Sequence, residues 1–124
     1  MSASEQANIA AMELPRPLRP EELRILAALL NEEIGALTLR LIDVRVASMD
    51  DGEMGSIRFN PDSSERHFSH QFVESRYTDV DGMEVFIAVN VDERSDLYEI
   101  DFWKVDFSPL VAYPTPESLR CAGT

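Results

Sequence analysis

Apolar residues along this chain change their period, and the changes divide it into segments. Leu23, Leu26, Ala27, Leu30 and Ile34 recur at three- and four-residue intervals, the spacing of one face of an α-helix. Pro20 suits the first helical turn, and Glu21 and Glu22 put negative charge where the helix dipole favours it. The pattern predicts a helix over Pro20–Glu33, stopped at Gly35, with Leu23, Leu26, Leu30 and Ile34 packed on a sheet. Residues 36–43, ALTLRLID, fit two periods. Leu37 and Leu41 suit a helix, whereas Leu37, Leu39 and Leu41 suit a strand; the reading taken is a short second helix leading into a strand over Asp43–Met49.

Beyond that point alternation takes over. The Asp- and Gly-rich cluster Asp50–Gly55 reads as a turn, followed by a strand over Gly55–Asn60. Asn60–His70 is the longest polar stretch and is expected to be a loop. Phe72–Asp79 and Met83–Val91 flank Val80-Asp81-Gly82, with Val85, Ile87, Val89 and Val91 alternating onto one face. A two-residue Asp81-Gly82 turn would set these opposite Thr78, Arg76 and Glu74. A three-residue loop with Gly82 left-handed sets them opposite Tyr77, Ser75 and Val73, buries more apolar surface and is preferred. A turn over Asp92–Asp96 leads into a last strand, Leu97–Val105, in which Tyr98, Ile100 and Phe102 face one way and Glu99, Asp101 and Trp103 the other. Val105 and Phe107 continue the Trp103 phase and put Lys104 with the apolar set, a slip that a bulge near Lys104 or the end of the strand would account for. Ser108-Pro109 ends the pairing. The fold class expected is α+β: one or two N-terminal helices on an antiparallel meander of about five strands. The domain spans residues 15–110, between a frayed tail over 1–14 and a C-terminal tail over 111–124.

Composition narrows the function. At 124 residues and 14.0 kDa, 44% hydrophobic and 27% charged, the chain suffices for a single core without disulfides or metal. A lone cysteine, Cys121, and an N-terminus lacking a basic region and an apolar run predict a cytoplasmic protein. No apolar run approaches the roughly 20 residues of a membrane span. The net charge is −12, and nine acidic residues face two basic ones between Asp79 and Asp106. Nucleic acid and anionic membrane are therefore poor partners, since both require clustered Lys and Arg. A basic protein partner fits.

Candidate chemistry is sparse. His67 and His70, with Glu65 and Asp62 nearby, form a weak metal pattern, because a catalytic zinc needs three protein ligands in fixed geometry. Asp79–Glu84 resembles part of a calcium loop but lacks ligands at the required spacing, and a hairpin turn explains it. Glu99 and Asp101 share a strand face, as a paired-carboxylate site would, yet a solvated sheet face accounts for them better. There is no nucleophile elbow and no glycine-rich phosphate loop. No catalytic residue, metal or cofactor is expected.

DGEMGSIRF (Asp51–Phe59), TDVDGMEVFIAVNVD (Thr78–Asp92) and LYEIDFWKVDFSPL (Leu97–Leu110) together resemble a family of small acidic bacterial proteins. In that family, DGGMGS, a DADG-type hairpin and an ELDIWKVDFSPL-like ending recur in this order. The resemblance covers roughly Pro20–Leu110 and implies no established activity. By class analogy, such proteins resemble immunity proteins encoded beside bacterial toxins. The function expected is a non-enzymatic protein-binding module, an immunity protein in its most specific form, with a basic toxin domain as partner. Its contact surface is expected at Asp79, Asp81, Asp92, Glu93, Asp96, Glu99, Asp101 and Trp103. The alternatives are a small-ligand or metal-binding protein using the Glu65–His70 loop, or a regulatory adaptor.

Overall fold

The structure, a computed structural model, describes residues 14–63 and 65–121. Most of the expected tail over residues 1–14 thus lies outside the described residues. The chain is α+β, with two N-terminal helices against one face of an antiparallel sheet.

Helix α1 spans Pro20–Leu30. Its first turn is tied down by Glu22, which is buried; its carboxylate accepts the Arg19 N–H at 2.7 Å and two guanidinium bonds from Arg16 at 2.8 and 2.9 Å. The helix ends earlier than its periodicity predicts. Asn31 adopts the left-handed conformation (φ 55°) and returns its N–H to the last turn, because asparagine serves there nearly as well as glycine. Gly35 therefore stops nothing and lies inside helix α2, Ile34–Arg40, whose first turn is capped by Glu33 accepting the Ala36 N–H at 2.6 Å. The buried stripe of α1 is Ile25, Leu26 and Leu29, with Leu23 and Leu30 partly covered, while Ile34 is exposed. The helical reading of 36–43 agrees with α2.

Six strands follow: β1 Val46–Ser48, β2 Ile57–Phe59, β3 Phe68–Thr78, β4 Glu84–Asp92, β5 Leu97–Lys104 and β6 Arg120–Cys121. Their order in the sheet is β1-β2-β5-β4-β3-β6. β3, β4 and β5 form a meander, and the β1–β2 hairpin joins it through β5, with Ile57 opposite Ile100 and Arg58 opposite Glu99. The β3–β4 hairpin takes the register that buries more apolar surface: Tyr77 opposite Val85, Ser75 opposite Ile87 and Val73 opposite Val89, with Gly82 left-handed (φ 86°). β3 begins at Phe68, so the polar loop is shorter than expected and His70 lies within a strand. After Leu110 the chain runs on through a 3-10 turn at Pro116–Ser118 to β6, which pairs with Ser75 and Arg76.

Alternation along the middle of β4 and β5 separates the faces of the sheet. Val85, Ile87, Val89, Ile100, Phe102, Ile57 and Phe59 are buried with Leu26 and Leu37. Each such side chain contributes about 1.5–3 kcal/mol on leaving water. Among the described residues no helix covers the opposite face, where Trp103 is 45% exposed.

Candidate functional site

The inward phase of β5 runs Ile100, Phe102, Lys104, without a slip. The shift in the β4–β5 pairing lies at Asn90/Val91, so this pair has no bulge near Lys104; the strand ends there instead, the other of the two expected outcomes. The only lysine of the chain is thus fully buried. Its ammonium donates to Asp79 Oδ2 at 2.9 Å, Asp81 Oδ2 at 2.6 Å and the Pro109 carbonyl at 3.0 Å, which uses all three of its donors. Burial alone would lower the pKa of the lysine; the bonds to Asp81 and Asp79 hold it above its ordinary value. Burial alone would raise the pKa of Asp79. The N–H of Val111, the Lys104 ammonium and the N–H groups of Val80 and Ala112 outweigh that and hold it at about 2. Both partners are locked in their charged forms, the condition under which a buried charge is tolerated. With all three donors engaged, the ammonium joins the Asp79–Asp81 turn to the segment at Pro109.

The Asp51–Ser56 loop closes on the same place. Asp51 accepts the N–H groups of Met54 and Ser56 at 3.1 and 3.0 Å. Met54 Sδ accepts the Lys104 N–H, and Glu53 O accepts the Leu110 N–H. Gly55 is left-handed (φ 102°), and a Cβ there would stand 3.0 Å from Leu110. Buried Ser56 Oγ accepts the Phe102 N–H at 2.8 Å and donates toward Phe102 O at 3.3 Å. The Asp51–Ser56 loop, the β3–β4 turn and the end of β5 therefore meet around Lys104.

This changes the expected acidic surface. Asp79 and Asp92 are buried and engage their oxygens internally, so neither is available to a partner. Asp92 pairs with Arg66 at 2.8 Å and caps the β4–β5 turn by accepting the Arg94 and Asp96 N–H groups; burial pushes its pKa up, and these contacts hold it below the usual range. The two acidic turns also sit at opposite ends of β4, roughly 27 Å apart by strand rise, and form no continuous stripe. Asp81 is exposed beside Lys104, Glu93 is exposed and accepts the His67 N–H, and Asp96 is exposed. Glu99 is half-buried between Arg58 at 3.1 Å and the Asn90 amide at 3.0 Å.

Asp101 and Trp103 remain on the open face. Partial desolvation, then the negative charge of Glu99, raise the pKa of the Asp101 carboxyl; Ser56 opposes this and Asp51 adds to it. Trp103 stacks on Phe86 (centroids 5.4 Å, 27°) and meets Phe107 at 6.2 Å and 54°. Phe107 is 65% exposed and left-handed (φ 61°), a strained conformation for a bulky residue. Across the sheet Glu74, Ala88 and Asp101 are in register, and beside them Arg76, Phe86 and Trp103. The sequence reading missed Glu74, Phe86 and Phe107. The outward phase of Phe86 in β4 was the available signal.

Elsewhere, a cleft of about 630 Å³ lies between the helices and the far end of the sheet. Leu30, Leu41, Val44, Phe72 and Leu97 line it, with the Arg40–Glu32 ion pair at its rim. Arg66 reaches it but donates inward to Asp92, Phe59 O and Leu97 O. His67 and His70 are exposed, and no group of three or more His, Cys, Asp or Glu positioned for a metal occurs among the described residues. Among the described residues, no helix is long and apolar enough to cross a membrane.

No curated protein and no solved structure matches the chain. One family does match, over residues 15–114, a stretch that holds both helices, strands β1 to β5 and the whole Lys104 cluster. The chain belongs to the family described as Domain of unknown function (DUF6984).

Proposed function

We propose that the protein is a non-enzymatic binding module that receives a basic partner protein on the open face of its sheet. The observation that carries this is the aromatic ladder Phe86–Trp103–Phe107 on the open face, with Trp103 and Phe107 exposed, Phe86 half-buried and carboxylates beside them. Aromatic anchors on a rigid face are the usual centres of binding energy. Phe107 keeps a strained backbone while its ring lies in solvent, which folding alone does not favour. Asp101, crowded by like charge, would be relieved by a cation. In its most specific form the partner is a basic toxin domain and the protein its immunity factor. Such a role needs a preformed surface and no catalytic group, and acidity suits a basic target.

The test is co-purification with the products of adjacent genes, repeated with Asp101→Lys and Phe107→Gly. Phe107→Gly relieves the left-handed strain and removes only an exposed ring, so its Tm should hold while binding falls. Binding that survives both changes would refute the reading. A second reading, capture of a small apolar molecule, is favoured by the 630 Å³ cleft, which is of the size such pockets have. Displacement of a fluorescent apolar dye from wild type, but not from a variant with Val44→Trp, would support it.

A further inference from the structure

The outer face holds a concavity whose chemistry points to one occupant. Glu74 on β3, Ala88 on β4 and Asp101 on β5 stand side by side. Adjacent strands lie about 4.8 Å apart, so the Cα atoms of the two acidic residues are held roughly 10 Å apart with a single methyl group between them. Phe86 and Trp103 form an aromatic wall on one side, and Gln71 lines the cup as well. Its volume is about 210 Å³, below the ~300–1,000 Å³ of pockets for drug-sized ligands and on the scale of one side chain.

We propose that this cup receives one arginine side chain of the partner, its guanidinium over Ala88 between Glu74 and Asp101 and its stem against Phe86 and Trp103. The inference rests on the reading of this face as the partner surface. Arginine fits better than lysine. A planar group with five donors serves carboxylates on both sides at once, whereas an ammonium is a point charge that serves one. Aromatic rings also attract a guanidinium, by about 0.5–1 kcal/mol or more. Among the described residues, neither Glu74 nor Asp101 forms an ion pair; the neighbouring acids Glu84 and Glu99 are taken by Arg120 and Arg58. Arg76, in register with Phe86, acts toward Glu84 and helps to lower its pKa.

The test uses the full chain and N-acetyl-arginine methylamide, with the uncharged citrulline analogue as control, followed by NMR shifts of backbone amides and the Trp103 indole. Saturable shifts are expected at Ala88, Asp101 and Trp103 with the arginine compound. They should be about tenfold weaker with citrulline, a difference of about 1.4 kcal/mol. Ala88→Leu, which fills the cup and leaves both carboxylates, should abolish them, and Asp101→Asn, which keeps the shape, should weaken them. A cooperative thermal transition and a native-like amide spectrum verify that each variant folds. Equal response to both compounds, no saturable shift in the millimolar range, or a response that survives Ala88→Leu overturns the proposal. A co-purified partner lost on Phe107→Gly but kept on Ala88→Leu overturns the cup alone; kept on both, it overturns the reading of the face as well.

Discussion

Ser56 and Ser75 are both buried serines, each about 1% exposed, and the structure predicts opposite results for the same substitution. Strand β2 begins at Ile57, so its backbone turns away before reaching Phe102. The Ser56 hydroxyl replaces the missing ladder acceptor and takes the Phe102 N–H at 2.8 Å. Ser56→Ala leaves that N–H buried without a partner, at a cost of about 1–3 kcal/mol. Unfolding entropy near 2.1 cal/mol/K per residue gives a chain of this length about 0.26 kcal/mol/K, so Tm should fall by roughly 4–12 °C. The Ser75 hydroxyl, by contrast, has no hydrogen-bond partner among the described residues. Ser75→Ala removes an uncompensated polar group and should leave Tm unchanged or raise it by a few degrees. Calorimetry on the two variants, with hydrogen exchange at the Phe102 amide, decides the matter. Equal losses would show that burial of the hydroxyls, and not their bonding, sets their worth, and would refute the reasoning.

Three further outcomes follow from the buried charges and the crowded carboxyl. Lys104 should resist acylation by an N-hydroxysuccinimide ester while the protein is folded and react once it is unfolded, as read by peptide mass mapping; modification in the native state would contradict its burial. Asp79 titrates in the fold at about 2, below its ordinary 3.8, so its stabilisation is complete above about pH 4 and lost as pH falls through 2. Tm measured against pH should show that acid limb, and Asp79→Asn, already destabilised at neutral pH, should flatten it. Asp101 is shifted the other way, so its ionised form is disfavoured by folding above its folded pKa; Asp101→Asn should raise Tm at pH 7 and lose that advantage in acid, where the wild-type carboxyl is protonated.

Local and apolar features were legible in the sequence. The start of α1 was written in Pro20, Glu21 and Glu22, and the β3–β4 register in the matching of Val85, Ile87 and Val89 to Tyr77, Ser75 and Val73. The two faces of β5 followed from alternation over Glu99–Lys104, but not at its start, where the shift in pairing at Asn90/Val91 sets Leu97, and not Tyr98, against the core. What stayed hidden depended on distant partners. Lys104 was in phase with the core, yet a charge there reads as a slip unless Asp79 and Asp81 are known to stand at the adjoining end of the hairpin. Asp79 and Asp92 read as surface for the same reason, because sequence shows charge but not the guanidinium or N–H groups that allow its burial. Asn31 takes the left-handed cap that was expected at Gly35, because asparagine can adopt that conformation as glycine does.

The buried cluster and the open face are one device, because β5 alternates between them. Asp101 and Trp103 point outward, while Phe102 and Lys104 point inward between and beyond them. Ser56 holds Phe102 at its backbone; Asp79, Asp81 and Pro109 hold Lys104 at its side chain. Each outward residue is thus flanked by an anchored one, which fixes the spacing of carboxylate and indole before any partner arrives. Preorganisation of this kind lowers the ordering cost of binding, about 0.5–1.5 kcal/mol per immobilised side chain. The motif residues that looked like a binding surface in sequence therefore divide by phase: one half is braced, and the other half is what the bracing presents. Loosening the brace at Ser56 should weaken partner binding without removing any atom of the face, whereas a surface driven by the bulk charge of −12 would not register the change.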